Sequence, residues 1–328
     1  MFSDRSIVVS GDLGSGKSTV TTELARRLDL RRVSVGDLYR QMAQSRGMSA
    51  LQLNLHAELD DAVDGYVDQL QQEIAKSDEQ LVVDGRLAWF FFTDAFKVHL
   101  VTDPVVAAGR VLSRPSDEVE AYSSLAEAIE RLENRSESER IRFLTRYGAD
   151  KNRLRNYDLV CDTTSARSDE IVDRIIEAYQ GSLGAAILLE APPLLLLDPT
   201  RIYPSRDIRE SGDLPGPPAW RAGDGTAGAG LAGQEPLTVG YAGYFFYVAD
   251  GHRRLSAAIK RGSRLIAARL LAEGDEQVAD GLTAVQYFES RVSPSVVRDW
   301  ETAHGIRLPL PPRLPQPAAG GPVLATGH

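Results

Sequence analysis

Eight residues near the start of the chain have the types and spacing of a phosphate-binding loop. Residues 11–18 fit the pattern G-x-x-x-x-G-K-[ST]. Glycine allows backbone N–H groups to approach an anion, lysine adds a mobile charge, and the serine hydroxyl can bind Mg²⁺. The residues predicted to hold nucleotide phosphates, with Ser18 also holding the metal ion, are Gly11, Gly14, Ser15, Gly16, Lys17, Ser18 and Thr19.

The flanking sequence supplies the elements that such a loop requires. Ile7 to Val9 form a short β-branched run, which is typical of a buried parallel strand. Val20, Leu24 and Leu28 follow at helical spacing, which predicts an amphipathic helix. A Gly-rich turn before an ordinary helix is the alternative, and the strand–loop–helix context favours the phosphate-binding loop.

The same alternation continues to about residue 180. Short apolar runs that predict strands alternate with helical patterns, at residues 32–35, 81–83, 97–101 and 157–161. This order predicts a parallel sheet covered by helices on both faces. Because such sheets bind ligands at the carboxyl ends of their strands, polar residues that follow the strands should converge on one crevice.

Two polar groups and one arginine-rich stretch fit phosphoryl transfer in that crevice. Ser34, Asp37 and Arg40 follow the second strand, and Asp84 and Arg86 follow the third. Arginine grips phosphate with a planar fork that stays charged. The arginine-rich stretch, a predicted helical lid, contains Arg110, Arg114, Arg131, Arg135, Arg140, Arg142 and Arg146. The alternative is a solvated helix, in which these arginines pair with Glu133, Glu137 and Glu139.

Residues 1–180 resemble the nucleoside monophosphate kinases, most of all the short cytidylate kinases of the archaeal type. The resemblance rests on the phosphate-binding loop and on residues 34–40, 84–88, 135–148 and 157–163, in the order and spacing of that family. It implies an α/β P-loop fold, ATP with Mg²⁺ as cofactors, and phosphoryl transfer to CMP or dCMP. Asp12 within the loop and the aromatic residues 89–92 depart from the family pattern.

The resemblance also implies roles for individual residues. Lys17 would act in catalysis together with three arginines that hold the transferred phosphoryl group and the ATP phosphates, namely Arg114, Arg135 and Arg142. The acceptor nucleotide would bind Asp37, Arg40, Asp68, Asp84 and Arg86, with the two arginines on its phosphate. The competing hypothesis is a weak or inactive nucleotide sensor whose second half is the output module, or a kinase for another small molecule.

Beyond residue 183 the composition changes. Residues 181–184 predict a hinge between a first domain, 1–183, and a second, smaller α+β domain, 194–305. Residues 211–234 are rich in Gly, Pro and Ala and predict a mobile loop. Residues 306–328 predict a disordered tail. Within the second domain, paired strands are expected around Ala242 and Gly243, followed by a helix that ends at Gly262.

The second domain resembles the ParB/sulfiredoxin superfamily. The resemblance rests on residues 203–204, 235–239 and 248–255, and it covers about 80 residues. Members of that superfamily are CTP-dependent DNA clamps, small-molecule kinases or ATP-dependent reductases of oxidised cysteine. The implied phosphate site comprises Gly251, His252, Arg253 and Arg254. Pairing of the two arginines with Asp250 at a helix start is the alternative.

The net charge of the chain indicates which kind of ligand it binds. The net charge is −9, and neither half has a basic excess of the kind that drives binding to a long polyanion. We therefore expect small-molecule nucleotides as ligands and disfavour nucleic acid, which stays open only through the ParB-like domain. Cys161 is the only cysteine, so no disulfide can form within the chain. With no signal-peptide pattern at the N-terminus and no apolar stretch of spanning length, we expect a cytoplasmic protein without membrane contact.

Overall fold

This computed structural model of the protein describes residues 5–48, 61–113, 122–183, 192–205, 235–279 and 281–309. Its described strands form one ten-stranded sheet. They are β1 (Ile7–Gly11), β2 (Arg31–Ser34), β3 (Leu81–Asp84), β4 (Phe96–Val101), β5 (Leu159–Asp162), β6 (Leu194–Leu197), β7 (Ile202–Pro204), β8 (Leu237–Ala242), β9 (Phe245–Asp250) and β10 (Ile266–Glu273). Their order across the sheet is β2-β3-β1-β4-β5-β6-β10-β8-β9-β7.

Helices cover both faces of this sheet. They are α1 (Lys17–Leu28), α2 (Val35–Ser45), α3 (Asp61–Ala75), α4 (Ala88–Phe91), α5 (Pro104–Leu112), α6 (Leu125–Tyr147), α7 (Ser168–Ser182), α8 (His252–Lys260), α9 (Ala284–Glu289) and α10 (Pro294–His304). Within β1, Ile7 and Val9 pack in a cluster with α1 and α7, while Val8 belongs to the cluster on the other face. This alternation is the two-residue period of a strand buried on both sides.

The first five strands are parallel and confirm the predicted P-loop architecture. Strands β1 to β5 each include part of a run that the apolar pattern identified. Helix α3 begins at Asp61, the first described residue after residue 48. The long helix α6 packs along α5 through Ala107, Ala108, Leu132 and their neighbours.

The second half continues the sheet of the first half. β6 pairs in parallel with β5, and Val160 lies opposite Leu195. β10 then pairs antiparallel with β6, which turns an all-parallel sheet into a mixed one. The sequence predicted two domains joined by a hinge at residues 181–184, and the described strands on either side of that hinge form hydrogen bonds to each other. The two halves therefore share one sheet.

Local predictions for the second half are confirmed in part. β8 and β9 form the expected hairpin, whose turn holds Gly243 and Tyr244 at φ 55° and 71°. Helix α8 ends at Lys260, close to the predicted Gly262. The predicted mobile loop, 211–234, lies outside the described residues. The predicted tail begins too early at residue 306, because Leu308 is buried and its N–H donates to the Glu301 carboxylate at 2.8 Å.

Among the described helices, none combines the length and the apolar character that a membrane span needs.

Candidate active site

The loop between β1 and α1 has the backbone of an anion cradle. Gly11, Gly14 and Gly16 all adopt positive φ, at 148°, 78° and 87°. A Cβ atom on Gly14 would lie 2.7 Å from the Ala107 carbonyl oxygen of α5, so only glycine fits there without a shift of backbone. Gly16 is the N-cap of α1, and the positive end of the helix therefore faces the cradle.

Lys17 lies over this cradle. Its Nζ donates to the carbonyl oxygens of Gly11, at 2.7 Å, and Asp12, at 2.6 Å. Burial, together with a smaller effect of the nearby Arg86, lowers the pKa of Lys17 to about 7. A phosphate anion in the cradle would favour the charged amine and would raise this pKa again. The protonation of the Lys17 amine is thus coupled to the binding of an anion in the cradle.

Oxygen donors suited to Mg²⁺ stand beside the loop. The hydroxyl of Ser18 donates to Oδ2 of Asp84, the last residue of β3, at 3.3 Å. Arg32 donates to the same oxygen at 2.8 Å and limits the mobility of the carboxylate. No group of three or more potential ligands of the His, Cys, Asp or Glu type occurs among the described residues. Ser18 and Asp84 would be the residues to hold Mg²⁺, because hydroxyl and carboxylate oxygens are the ligands that this ion prefers.

Asp37 and Arg40 lie on α2, directly after β2. Arg40 forms an ion pair with Asp37, and Arg32 lies 3.5 Å from the other carboxylate oxygen. Burial raises the pKa of Asp37, but hydrogen bonds from Arg40 and Ser34 outweigh that effect and leave the pKa lowered. The Arg40 side chain is 61% exposed, so it is available to an incoming phosphate. The hydroxyl of Ser34 caps α2.

Arg86 forms an ion pair with a buried carboxylate on α6, the helix predicted to be the lid. Three cations converge on Glu139 of α6, whose side chain is 7% exposed. Arg86 pairs with it directly, Arg135 Nε lies 3.4 Å from Oε1, and Lys151 Nζ lies 3.5 Å from Oε2. The structure therefore brings together Arg86 and Arg135, two predicted phosphate ligands, around an anionic side chain.

Lys151 is a member of this cluster that the sequence analysis missed. It follows the lid helix in a turn, is buried, and donates to the Ser136 hydroxyl at 3.0 Å. Burial lowers its pKa to about 8, and Arg86 contributes to the same effect. A lone lysine in a polar turn has no distinctive spacing, so the sequence around Lys151 did not indicate that it belongs to the site.

The other predicted site residues and lid arginines lie in different surroundings. Asp68 on α3 accepts a hydrogen bond from Tyr147 and lies 3.8 Å from Arg146, so it faces the end of the lid. Arg142 is also on the lid, with its guanidinium 5.6 Å from the Phe143 ring centre. Arg114 lies outside the described residues. The predicted pairing along the helix holds for Arg140 with Glu137, at 2.8 Å, and for Arg135 with Glu139, at 3.4 Å. Arg131 pairs instead with Glu127, at 2.6 Å.

The two departures from the family pattern have structural explanations. The Asp12 carboxylate accepts the N–H of Thr102 at 3.1 Å, beyond the end of β4, and burial raises its pKa. The aromatic residues after Arg86 lie partly in the hydrophobic core and partly at the surface. Trp89 packs edge-on against Tyr157, with ring centres 5.6 Å apart, while Phe90 is 38% exposed.

The predicted phosphate turn of the second half has the expected backbone. Gly251 adopts φ 97° and caps α8, and the His252 Nε2 atom lies 3.4 Å from the Ser205 hydroxyl. Arg254 follows the alternative arrangement, because it donates to the Asp250 carboxylate and to the Pro236 carbonyl, each at 2.8 Å. Arg253 is exposed. The helix N-terminus and Arg253 remain available to an anion.

Comparison with known proteins finds similarity over about half of the chain. The family model of an AAA domain matches residues 7–153. A cytidylate kinase of Sulfurisphaera tokodaii is 35% identical over 175 residues, covering 53% of this chain and 93% of that protein. A cytidylate kinase of Pyrococcus abyssi is 39% identical over 173 residues, covering 52% and 91%. An S-adenosylmethionine-dependent nucleotide dehydratase of Lacinutrix mariniflava is 34% identical over 178 residues, covering 54% and 36%.

Proposed function

The chain belongs to the cytidylate kinase family and its first half is a nucleoside monophosphate kinase, and from that premise we propose that it transfers the γ-phosphoryl group of Mg·ATP to CMP or dCMP. The observation that carries the proposal is the convergence of Lys17, Asp84 and Arg86 at the carboxyl ends of adjacent strands. Ligands bind at that edge of a parallel sheet. The relatives from Sulfurisphaera tokodaii and Pyrococcus abyssi carry the name cytidylate kinase, which supports the choice of acceptor.

On the donor side, the cradle binds the phosphates of ATP and Lys17 compensates their charge. Ser18 and Asp84 would hold Mg²⁺, which would supply positive charge to offset the charge of the ATP phosphates. Phosphoryl transfer needs little covalent work from the protein, because its transition state is stabilised by position and charge. Arg135 and Arg142, which both lie on α6, add further positive charge.

On the acceptor side, Arg40 and Arg86 hold the phosphate of the monophosphate. Asp37 and Asp68 lie beside its sugar or base. No general base is required, because the acceptor oxygen belongs to a phosphate that is already ionised. Arg86 reaches this phosphate only if Glu139 yields its place, since Glu139 now accepts from Arg86.

A coupled assay of ADP formation against CMP, dCMP, UMP, AMP and GMP tests the proposal. We expect CMP or dCMP to be preferred, and Lys17→Ala to lower kcat by about a hundredfold or more, the scale of one lost transition-state donor. Melting like the parent together with near-parent turnover would contradict the role of Lys17. ATP binding without turnover on any acceptor would instead favour a nucleotide sensor.

For the second half we propose a ParB/sulfiredoxin-like module that binds a nucleotide or another compact phosphate. Gly251 at positive φ, the exposed N-terminus of α8 and the exposed Arg253 support this proposal. The near-neutral charge of this half suits a compact anion better than DNA. Arg254 is assigned to the fold rather than to the ligand, because Asp250 and two backbone carbonyl oxygens already accept from it.

Calorimetry with ATP and CTP on the full chain tests this module, with Lys17→Ala present to weaken binding in the first half. Arg253→Ala should weaken the second binding event by about 1.5–3 kcal/mol, the range for a charged hydrogen bond. Arg254→Ala is the matched control. It should lower the stability of the fold but leave the binding constant close to that of the parent. Tight, salt-sensitive DNA binding without nucleotide affinity would contradict the proposal.

A further inference from the structure

Arg201 belongs to the second half of the chain, but its side chain reaches into the first. It ends a short 3₁₀ turn, Pro199–Arg201, between β6 and β7. Its Nη1 atom donates to Oδ2 of Asp162 at 2.6 Å and to the hydroxyl of Thr164 at 3.1 Å. Asp162 is fully buried at the end of β5. The contact is therefore an ion pair between the two halves, with the carboxylate fully buried and the arginine side chain 20% exposed.

The residues that Arg201 holds support the phosphate-binding loop. Thr163, which follows Asp162, donates its hydroxyl to the Ser15 carbonyl of the loop at 3.0 Å. The Thr164 hydroxyl accepts the N–H of Asp103 at 2.9 Å, and Asp103 caps α5. Helix α5 in turn packs against Gly14 of the loop. A displacement after β5 would therefore reach the loop by two short routes.

Arg110 reinforces the same support from α5. Its guanidinium donates to the Thr163 carbonyl and lies 3.4 Å from the Gly14 carbonyl. The segment after β5 is thus fixed from the first half by Arg110 and from the second half by Arg201. Arg110 holds the backbone, whereas Arg201 neutralises the one buried carboxylate of this segment, Asp162.

We propose that Arg201 is a positioning residue for ATP, supplied by the second half to the phosphate-binding loop of the first. The inference rests on the proposed function and adds a residue that lies beyond the family model, which ends at residue 153. Backbone donors in the loop must stand within about 1 Å of their working positions, because small misplacements cost large factors in binding and rate. Without Arg201, the buried Asp162 would lose its cation and the Thr164 hydroxyl would lose a hydrogen-bond donor, and either loss would let the segment after β5 shift.

Arg201→Met is the primary variant, and Arg264→Met is its matched control. Arg264 also lies in the second half and faces the first, 3.7 Å from Glu170, but the side chain is 48% exposed. We expect Arg201→Met to raise the dissociation constant of a fluorescent ATP analogue and the KM for ATP at least tenfold. The KM for CMP should change less than twofold, and Arg264→Met should behave like the parent. Equal ATP affinity in the two variants would overturn the proposal.

A double variant separates positioning from stability. Asp162→Asn combined with Arg201→Met removes the buried charge that Arg201 compensates, so the melting temperature should recover towards that of the parent. The affinity for ATP should stay low, because the Thr164 hydroxyl has lost its anchor. Recovery of both quantities would reduce Arg201 to a structural role and refute the inference. A parent protein that binds no ATP would refute the proposed function itself, which makes the two failures distinguishable.

Discussion

Glu139 is the side chain whose removal tests the phosphate crevice most sharply. It is the anion on which Arg86, Arg135 and Lys151 converge. Under the proposed function, an acceptor phosphate competes with this carboxylate for Arg86. Glu139→Gln keeps the shape of the side chain and removes its charge. We expect the variant to be less stable without ligand and to bind phosphate ligands more tightly.

The size of the effect follows from burial. Removing one partner of a buried ion pair costs about 3–5 kcal/mol, because the remaining charge is left uncompensated. Arg86 and Arg135 are 35% and 37% exposed, so water screens part of their mutual repulsion. Lys151, at 11% exposed, is the cation that stays buried. We therefore expect the free energy of unfolding to fall by about 3 kcal/mol, the lower end of that range.

Urea unfolding and calorimetry with CMP measure the two effects. CMP should bind about tenfold more tightly to Glu139→Gln, equivalent to about 1.4 kcal/mol. Glu137→Gln is the matched control, because Glu137 lies on the same helix and pairs with Arg140 at 45% exposure. That control should lose less than about 1 kcal/mol. Equal stability of the two variants, with unchanged CMP affinity, would refute the competition between Glu139 and phosphate.

Three further predictions follow from the same geometry. The pKa of Lys151 is about 8 in the folded chain and 10.5 for an unperturbed lysine, so the unfolded chain binds more protons between pH 8 and pH 10.5. The free energy of unfolding should therefore rise over that range of pH. Urea titrations of Lys151→Met should lack the share of this rise that Lys151 contributes. Arg40→Ala should raise the KM for the acceptor far more than that for ATP and leave the melting temperature unchanged, because the side chain is 61% exposed; an effect confined to ATP would contradict its placement. A chain ending at residue 183 should aggregate in size-exclusion chromatography, because loss of β6 exposes the edge of β5; a monodisperse and fully active fragment would show that the edge is tolerated.

The first half could be predicted from sequence because its signals are local. The apolar runs of β1, β3 and β4 and the glycine pattern of the loop are each contained within a few residues. Family order then placed Arg40 and Arg86 after the second and third strands, and the structure has Arg40 on α2 and Arg86 two residues beyond β3. Local patterns specify strands and turns because they reflect backbone conformation and burial.

The contacts that the sequence did not reveal join residues far apart in the chain. Arg86 meets Glu139, and Arg201 meets Asp162, across 53 and 39 residues. Both acids are buried, yet neither has a spacing that distinguishes it from a solvated acid. The competing possibility for Arg254, pairing with Asp250 one helical turn earlier, was visible in the sequence because that pair is local.

The position of Arg201 follows from the direction of β6. Because β6 runs parallel to β5, both strands deliver their carboxyl ends to the same edge of the sheet, with Cys161 opposite Leu196. The turn that follows β6 must then lie beside Asp162, next to the phosphate-binding loop. An antiparallel β6 would have sent that turn to the opposite edge. Recognising residues 194–197 as a sixth parallel strand, rather than the start of a separate domain, is therefore the step that would have brought the second half to the nucleotide crevice.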